Sequence, residues 1–239
     1  MRETLAVFRK ELRSLFVSPI PYLVAIVFSA FMTWFVFEKQ IFLVLRQANL
    51  DSLFGLLPIV MAVVVPAIAM RMWSEEIRGE TIETLMTSPV RVRHLVAGKF
   101  LAAMVVVALC LAATAALPVT VSVLGDIDTG PMLGGYLGAL LLGGAYLSIG
   151  LWLSSKTRNQ IVAFLVGVVA CIVLALVGQI GSSATGGDLQ RFLSSICARD
   201  RFDAIARGVV DLRDVAYFGS IIAFFLYLNV ESVENRRHA

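Results

Sequence analysis

The chain has 239 residues, 59% of them hydrophobic, and its mean hydropathy is +0.85. Soluble domains run near ~45–50% apolar, and here the excess falls in long blocks, which excludes a soluble enzyme and gives an all-α integral membrane protein. The net charge of +3 is too small for a nucleic-acid surface, and three cysteines without a CxxC pair make neither a disulfide framework nor a metal site.

Leu5, Phe8, Leu12, Leu15 and Phe16 recur at spacings of three and four, with Arg9, Lys10, Glu11 and Arg13 on the other face. This pattern predicts an amphipathic helix in the membrane interface, ended by Ser18-Pro19-Ile20-Pro21; a frayed tail is the alternative. The first apolar run starts near Ile20 and shows no small-residue cleavage site, so the start is expected to be retained.

Six transmembrane helices are predicted: about Tyr22–Phe37, Leu53–Met70 with Pro58 and Pro66 inside, Phe100–Leu124 with Pro118 near its end, Leu133–Leu153, Ile161–Ile180 and Val215–Val230. Together they form one transmembrane domain over 1–239, since no stretch is long enough for a separate soluble core. Placing the N-terminus inside puts thirteen of the twenty Lys and Arg residues on inner segments and seven on outer ones. Both termini are therefore expected to be cytoplasmic.

The fourth span carries Gly134 and Gly138 in a GxxxG pattern, beside a second stripe of Gly135, Ala139 and Gly143. Such faces allow close helix approach, either within one subunit or at a dimer seam. In the outer segment before the last span, Leu189, Phe192, Leu193 and Ile196, then Phe202, Ile205, Val209 and Val210, predict two short amphipathic helices around a charged corner, Arg199-Asp200-Arg201. They lie at the outer surface or dip back into it. A solvated loop is the other reading.

No GxxxxGK[ST], HExxH or GxSxG occurs, and His94 and His238 are isolated. The spans are almost free of ionisable groups, which argues against an ion-coupled pump and against an intramembrane hydrolase. No catalytic, cofactor-binding or metal-ligating residue is expected. Energy for uphill movement would have to enter from outside the membrane.

The longest polar interruption on the inner side is Arg71 to Lys99. Gly79 interrupts its first helix. Thr81 is placed to cap a new one, with Glu83 in the first turn and Ile82, Leu85 and Met86 on one face, until Pro89 stops it. This short amphipathic helix suits a groove on a soluble partner. Its glutamates, Glu75, Glu76, Glu80 and Glu83, argue against a turn lying on anionic headgroups.

The segment Glu75–Val90, EEIRGETIETLMTSPV, followed by Ala97-Gly98-Lys99-Phe100, resembles the membrane subunits of type-2 ABC exporters, with its closest likeness to the gliding-motility-associated permease subgroup. Phe8–Leu23 resembles that family's opening elbow helix, Leu153–Ala163 its loop between the fourth and fifth spans, and Arg207–Phe218 its lead into the last span. One departure stands out. The family glycine directly precedes the threonine, whereas here Glu80 holds that place and the glycine is Gly79, so the helix break is expected one residue early.

The resemblance implies an exporter permease in a bacterial inner membrane that binds separate cytosolic P-loop ATPases, which carry ATP and magnesium. A second permease copy or a paralogue completes the pathway, and an extracytoplasmic accessory subunit is a further possible partner. The ATPase-coupling residues it implies are Glu76, Gly79, Thr81, Ile82, Glu83, Leu85, Met86 and Thr87. They are flanked by Phe8, Lys10 and Glu11 of the elbow and by Lys156, Arg158 and Asn159. Phe192, Arg201, Phe202 and Arg207 would form or brace an outer gate. The rival functions are a membrane scaffold anchoring an ATPase and a passive channel.

Overall fold

The computed structural model describes residues 2–38, 50–81, 90–124, 128–184, 197–209 and 211–237. Every regular element among them is an α-helix. In chain order these are α1 Arg2–Val17, α2 Ile20–Glu38, α3 Asp51–Ala69, α4 Arg71–Arg78, α5 Val92–Ala113, α6 Ala116–Leu124, α7 Thr129–Ser154, α8 Gln160–Ala184, α9 Ala198–Ala206 and α10 Leu212–Arg237. Among the described residues, six helical stretches are long and apolar enough to cross a bilayer: Ile20–Glu38, Ser52–Arg78, Val92–Ser122, Thr129–Ser154, Gln160–Val177 and Leu212–Arg236. The molecule is an all-α, multi-pass membrane protein.

Helix α7 is the centre of the bundle. It packs against α3, α4, α5, α8, α9 and α10, and 72% of its apolar window is buried, against 22% for α2, 22% for α8 and 17% for α10. Its small residues make this possible. A Cβ added at Gly150 would lie 2.6 Å from Ala69 Cβ, and one at Gly143 would lie 2.8 Å from Met61 and from Val107. Gly134 and Gly138 face Ile205 and Phe202 of α9. The glycine stripes are therefore filled by contacts within the chain.

The third span differs from its expected limits in a way proline and packing explain. It starts at Val92 rather than Phe100, because Val92, Leu95 and Val96 are buried and α1 packs along this stretch. It breaks at Thr114 and Ala115 before resuming as α6. Pro118 has no N–H for the Thr114 carbonyl and its ring crowds that carbonyl, so it fits only in the first turn of a new helix.

The second span has its break at Met70, between α3 and α4. Pro58 and Pro66 lie within α3, and a Cβ added at Gly167 of α8 would lie 3.1 Å from Pro66 Cβ.

Candidate functional site

Helix α1 lies along the start of α5, running in the same direction. Three matched contacts define the seam: Thr4 Oγ1 to His94 Nδ1 at 2.8 Å, Val7 onto Gly98, and Glu11 Oε1 to Lys99 Nζ at 3.3 Å. A Cβ at Gly98 would sit 2.6 Å from Val7 Cγ1, so only glycine admits this approach. The face of α1 buried against the rest of the protein is thus Val7 and Glu11. Leu5 and Phe8 instead line an apolar cavity of about 670 Å³ with Leu101, Met104, Val105 and Ala108.

Lys99 is the hub of this end of the molecule. It is 1% exposed. Its ammonium donates to Glu76 Oε1 at 2.7 Å and to the Met72 carbonyl at 2.9 Å. It also sits 3.3 Å from Glu11 and 4.9 Å from the centre of the Trp73 ring. A buried cation survives only when paired and hydrogen-bonded, and here two carboxylates, a carbonyl and an indole face supply that. One side chain on α5 therefore holds both α1 and α4.

Ser154, at the end of α7, secures α4 from the other side. Its hydroxyl accepts from the backbone N–H groups of Trp73 at 3.3 Å and Ser74 at 3.2 Å, and it donates to the Met70 carbonyl at 2.8 Å. The first N–H groups of a helix have no partner of their own, so a hydroxyl from another helix serves as the cap here. Arg71 adds a bridge to Glu75 at 2.5 Å and donates to Ser18 Oγ at 3.3 Å.

Helix α4 ends at Arg78 with Gly79 as its cap, and the Gly79 N–H bonds the Glu75 carbonyl at 2.8 Å. Gly79 has an ordinary φ of −84°. Glu80 carries the left-handed turn, with φ 57°. The turn therefore falls on the residue directly before Thr81, where the resembling family places its glycine, and not one residue early. Thr81 is exposed, and its hydroxyl donates back to the Glu76 carbonyl at 3.4 Å.

The expected coupling residues divide accordingly. Glu76 faces Lys99, Gly79 caps α4 and Thr81 marks the exit into the following segment. Ile82, Glu83, Leu85, Met86 and Thr87 lie outside the described residues, as does Phe192 of the outer segment. Of the flanking set, Phe8 and Glu11 pack against α5, while Lys10, Lys156, Arg158 and Asn159 are exposed. Asn159 caps α8 by accepting from the Ile161 N–H at 2.9 Å. The sequence offered Lys99 as an inner positive charge and as part of the Gly98-Lys99-Phe100 resemblance, without a structural role, and Ser154 was missed. The available signal was a lysine wedged directly between apolar residues, Val96 before it and Phe100-Leu101 after it.

At the opposite end, α9 is wedged into the bundle. Cys197, Ala198, Phe202 and Ile205 are fully buried. Phe202 packs against Phe54 with the rings tilted by 60° and their centres 6.5 Å apart, and Phe54 meets Tyr136 edge-on at 5.8 Å. Arg199 donates to the Gly55 carbonyl at 3.3 Å, and Arg201 bridges Asp214 at 2.8 Å. Gly208, at φ +85°, turns the chain against Gly130 and Pro131. Arg207 is exposed. The charged corner thus staples α9 to α3 and α10.

A comparison with protein families matches residues 5–196 to the family described as ABC-2 family transporter protein. A comparison with curated proteins finds no match.

Proposed function

The chain belongs to the ABC-2 transporter family and is a membrane permease component of an ABC transporter, and from that premise we propose that it is the permease half of an ATP-driven exporter of the gliding-motility-associated type. The segment 82–89 docks in a groove of a separate cytosolic P-loop ATPase, which holds ATP and magnesium. A second permease copy or a paralogue completes the pathway. The membrane is a bacterial inner membrane, and both termini face the cytosol.

The observation that carries this reading is the mounting of α4. Lys99 ties it to α1 and α5, and Ser154 ties it to α7. A force applied just beyond Arg78 is therefore delivered at once to the elbow and to two spans. A loop with no mechanical task needs no such anchorage. The subgroup assignment is supported by the four segments quoted above, and by the left-handed turn at the family's glycine position. At the far end, Phe202 and the Arg201–Asp214 bridge brace an outer gate.

The test is a mild-detergent pull-down of the tagged chain from its native cells, with mass spectrometry of what accompanies it. A P-loop ATPase near one copy per permease is expected, and Glu83→Lys or Leu85→Asp should remove it while membrane insertion persists. Normal ATPase stoichiometry in both variants overturns the coupling reading. ATPase binding without substrate-stimulated turnover leaves a scaffold, and conductance without any ATPase leaves a channel.

A further inference from the structure

Between α1, α2, α3 and α4 lies a cavity of about 230 Å³ that is polar at its mouth and apolar at its base. Lys10, Ser14, Ser18, Arg71 and Glu75 line the polar part, with Glu11, Glu76 and Lys99 behind them. Val24, Ala67, Ile68 and Val106 line the base. Val106 is two helical turns beyond Lys99 on α5, about 10 Å deeper.

The charges are balanced: three cations, Lys10, Arg71 and Lys99, against three carboxylates, Glu11, Glu75 and Glu76. The pairing leaves capacity of both signs. Arg71 bonds Glu75 and Ser18, and its five N–H groups are not all used by these contacts. Lys10 is exposed and reaches Glu11 only at 3.9 Å. Glu76 spends Oε1 on Lys99, while its Oε2 is buried with no donor among the described residues. A purely anionic ligand would meet three carboxylates, and a purely cationic one three ammonium or guanidinium groups.

We propose that this cavity binds the zwitterionic phosphoethanolamine headgroup of a membrane phospholipid, with the phosphate toward Lys10, Arg71 and Ser18 and the ammonium toward Glu75 and Glu76. Charge-assisted N–H···O bonds hold each end. The first stretch of acyl chain follows Val24, Ala67 and Ile68 toward Val106. Placing the lipid in the inner leaflet rests on the orientation proposed above, but the match of headgroup to cavity does not. Because the site touches α1, α2, α3 and α4 together, an occupied cavity fills the gap beside the Lys99 hub.

The experiment uses the full purified chain reconstituted into vesicles of equal phosphatidylethanolamine and phosphatidylglycerol. It is then re-extracted in mild detergent, and its bound phospholipid is counted by native mass spectrometry. About one phosphatidylethanolamine per chain is expected, enriched about tenfold over phosphatidylglycerol. Ser14→Trp, placed on the exposed rim to fill the mouth, should reduce it to the vesicle background without changing the melting temperature, and Arg71→Gln should reduce it as well. Retention at the vesicle ratio, or equal retention by wild type and Ser14→Trp, overturns the proposal. Soluble glycerophosphoethanolamine separates the two sources: failure to displace the lipid supports a membrane ligand, and displacement at millimolar concentration replaces it with a free zwitterion. The readout needs no ATPase, so its failure beside an intact ATPase pull-down would sink this site alone.

Discussion

Lys99 Nζ lies 2.7 Å from Glu76 Oε1, joining the start of α5 to a short helix 23 residues earlier in the chain. The lysine is all but inaccessible, and the glutamate side chain is 18% exposed. Removing Lys99 leaves Glu76 and Glu11 without their shared cation, whereas Glu76→Gln leaves the lysine Glu11 and the Met72 carbonyl. Lys99→Met should therefore cost about 3–5 kcal/mol, Glu76→Gln about 1–3 kcal/mol, and the double variant less than the sum. Thermal unfolding in detergent checks this, and additive losses would show that the two residues are not coupled.

Gly98→Ala pushes a methyl group into Val7. The clash is with Val7 Cβ at 2.8 Å as well as its γ-carbon, so a rotamer change does not relieve it. Helix α1 must move off α5 while α7 stays packed. Hydrogen–deuterium exchange should rise across residues 2–17 and remain at the wild-type level in α7. An unchanged α1 would mean that the seam tolerates more volume than its geometry allows.

Glu80→Gly should stabilise the protein by about 1 kcal/mol, since a non-glycine residue is held in the left-handed region there. Gly79→Ala should destabilise modestly: its φ is ordinary, so the backbone accepts a side chain, but the new Cβ would crowd the Glu75 carbonyl at 3.2 Å. Melting temperatures of the two variants decide the matter. If Gly79→Ala is the more damaging substitution by far, the left-handed turn is misassigned.

Asp214→Asn removes the charge that holds Arg201, and with it one of the staples on α9. Cys197, directly before α9, is fully buried with its thiol donating to the Ala175 carbonyl at 3.3 Å. The variant should let α9 lift and make Cys197 reactive toward a membrane-impermeant maleimide. Labelling no faster than in wild type would show that Phe202 and Ile205 hold α9 without help from the bridge.

Burial pushes the Asp203 carboxyl above the ordinary carboxylate range; Arg199, 3.8 Å away, and Arg207 oppose this, and Asp200 adds to it. The folded state then keeps this proton to a higher pH than the unfolded chain does. Stability should fall as pH rises from the ordinary carboxylate value through the raised one. Asp203→Asn should flatten that part of the stability profile, and a profile identical to wild type would remove Asp203 as its source.

Hydropathy and glycine spacing made the six-span bundle legible before any coordinates, because both follow from local composition. The Phe202 and Ile205 spacing likewise announced a helix before the last span, but that helix ends at Ala206, and Val209, expected on the same stripe, lies exposed beyond the turn at Gly208. What periodicity could not convey was destination. Glu11 reads as part of a solvated face until Lys99 is placed beside it, and that meeting depends on α1 folding back along α5. Ser154 reads as the last polar residue of a span, yet it caps a helix whose bonded N–H groups are 80 and 81 residues away. The left-handed turn at Glu80 was hidden because its neighbour is the glycine. Each of these is a long-range or backbone property that no single window of sequence contains.

The enclosure of α7 also sets an order of assembly. As the chain is made, α3 and α5 already exist to cover Gly143 and Gly150, but Gly144 awaits Ile222 of α10, and Gly134 and Gly138 await α9. A half-made molecule leaving the insertion machinery therefore shows lipid an open furrow along its fourth span. Addition of α9 and α10 closes that furrow, so the enclosure of α7 is completed only when these two later helices have been made.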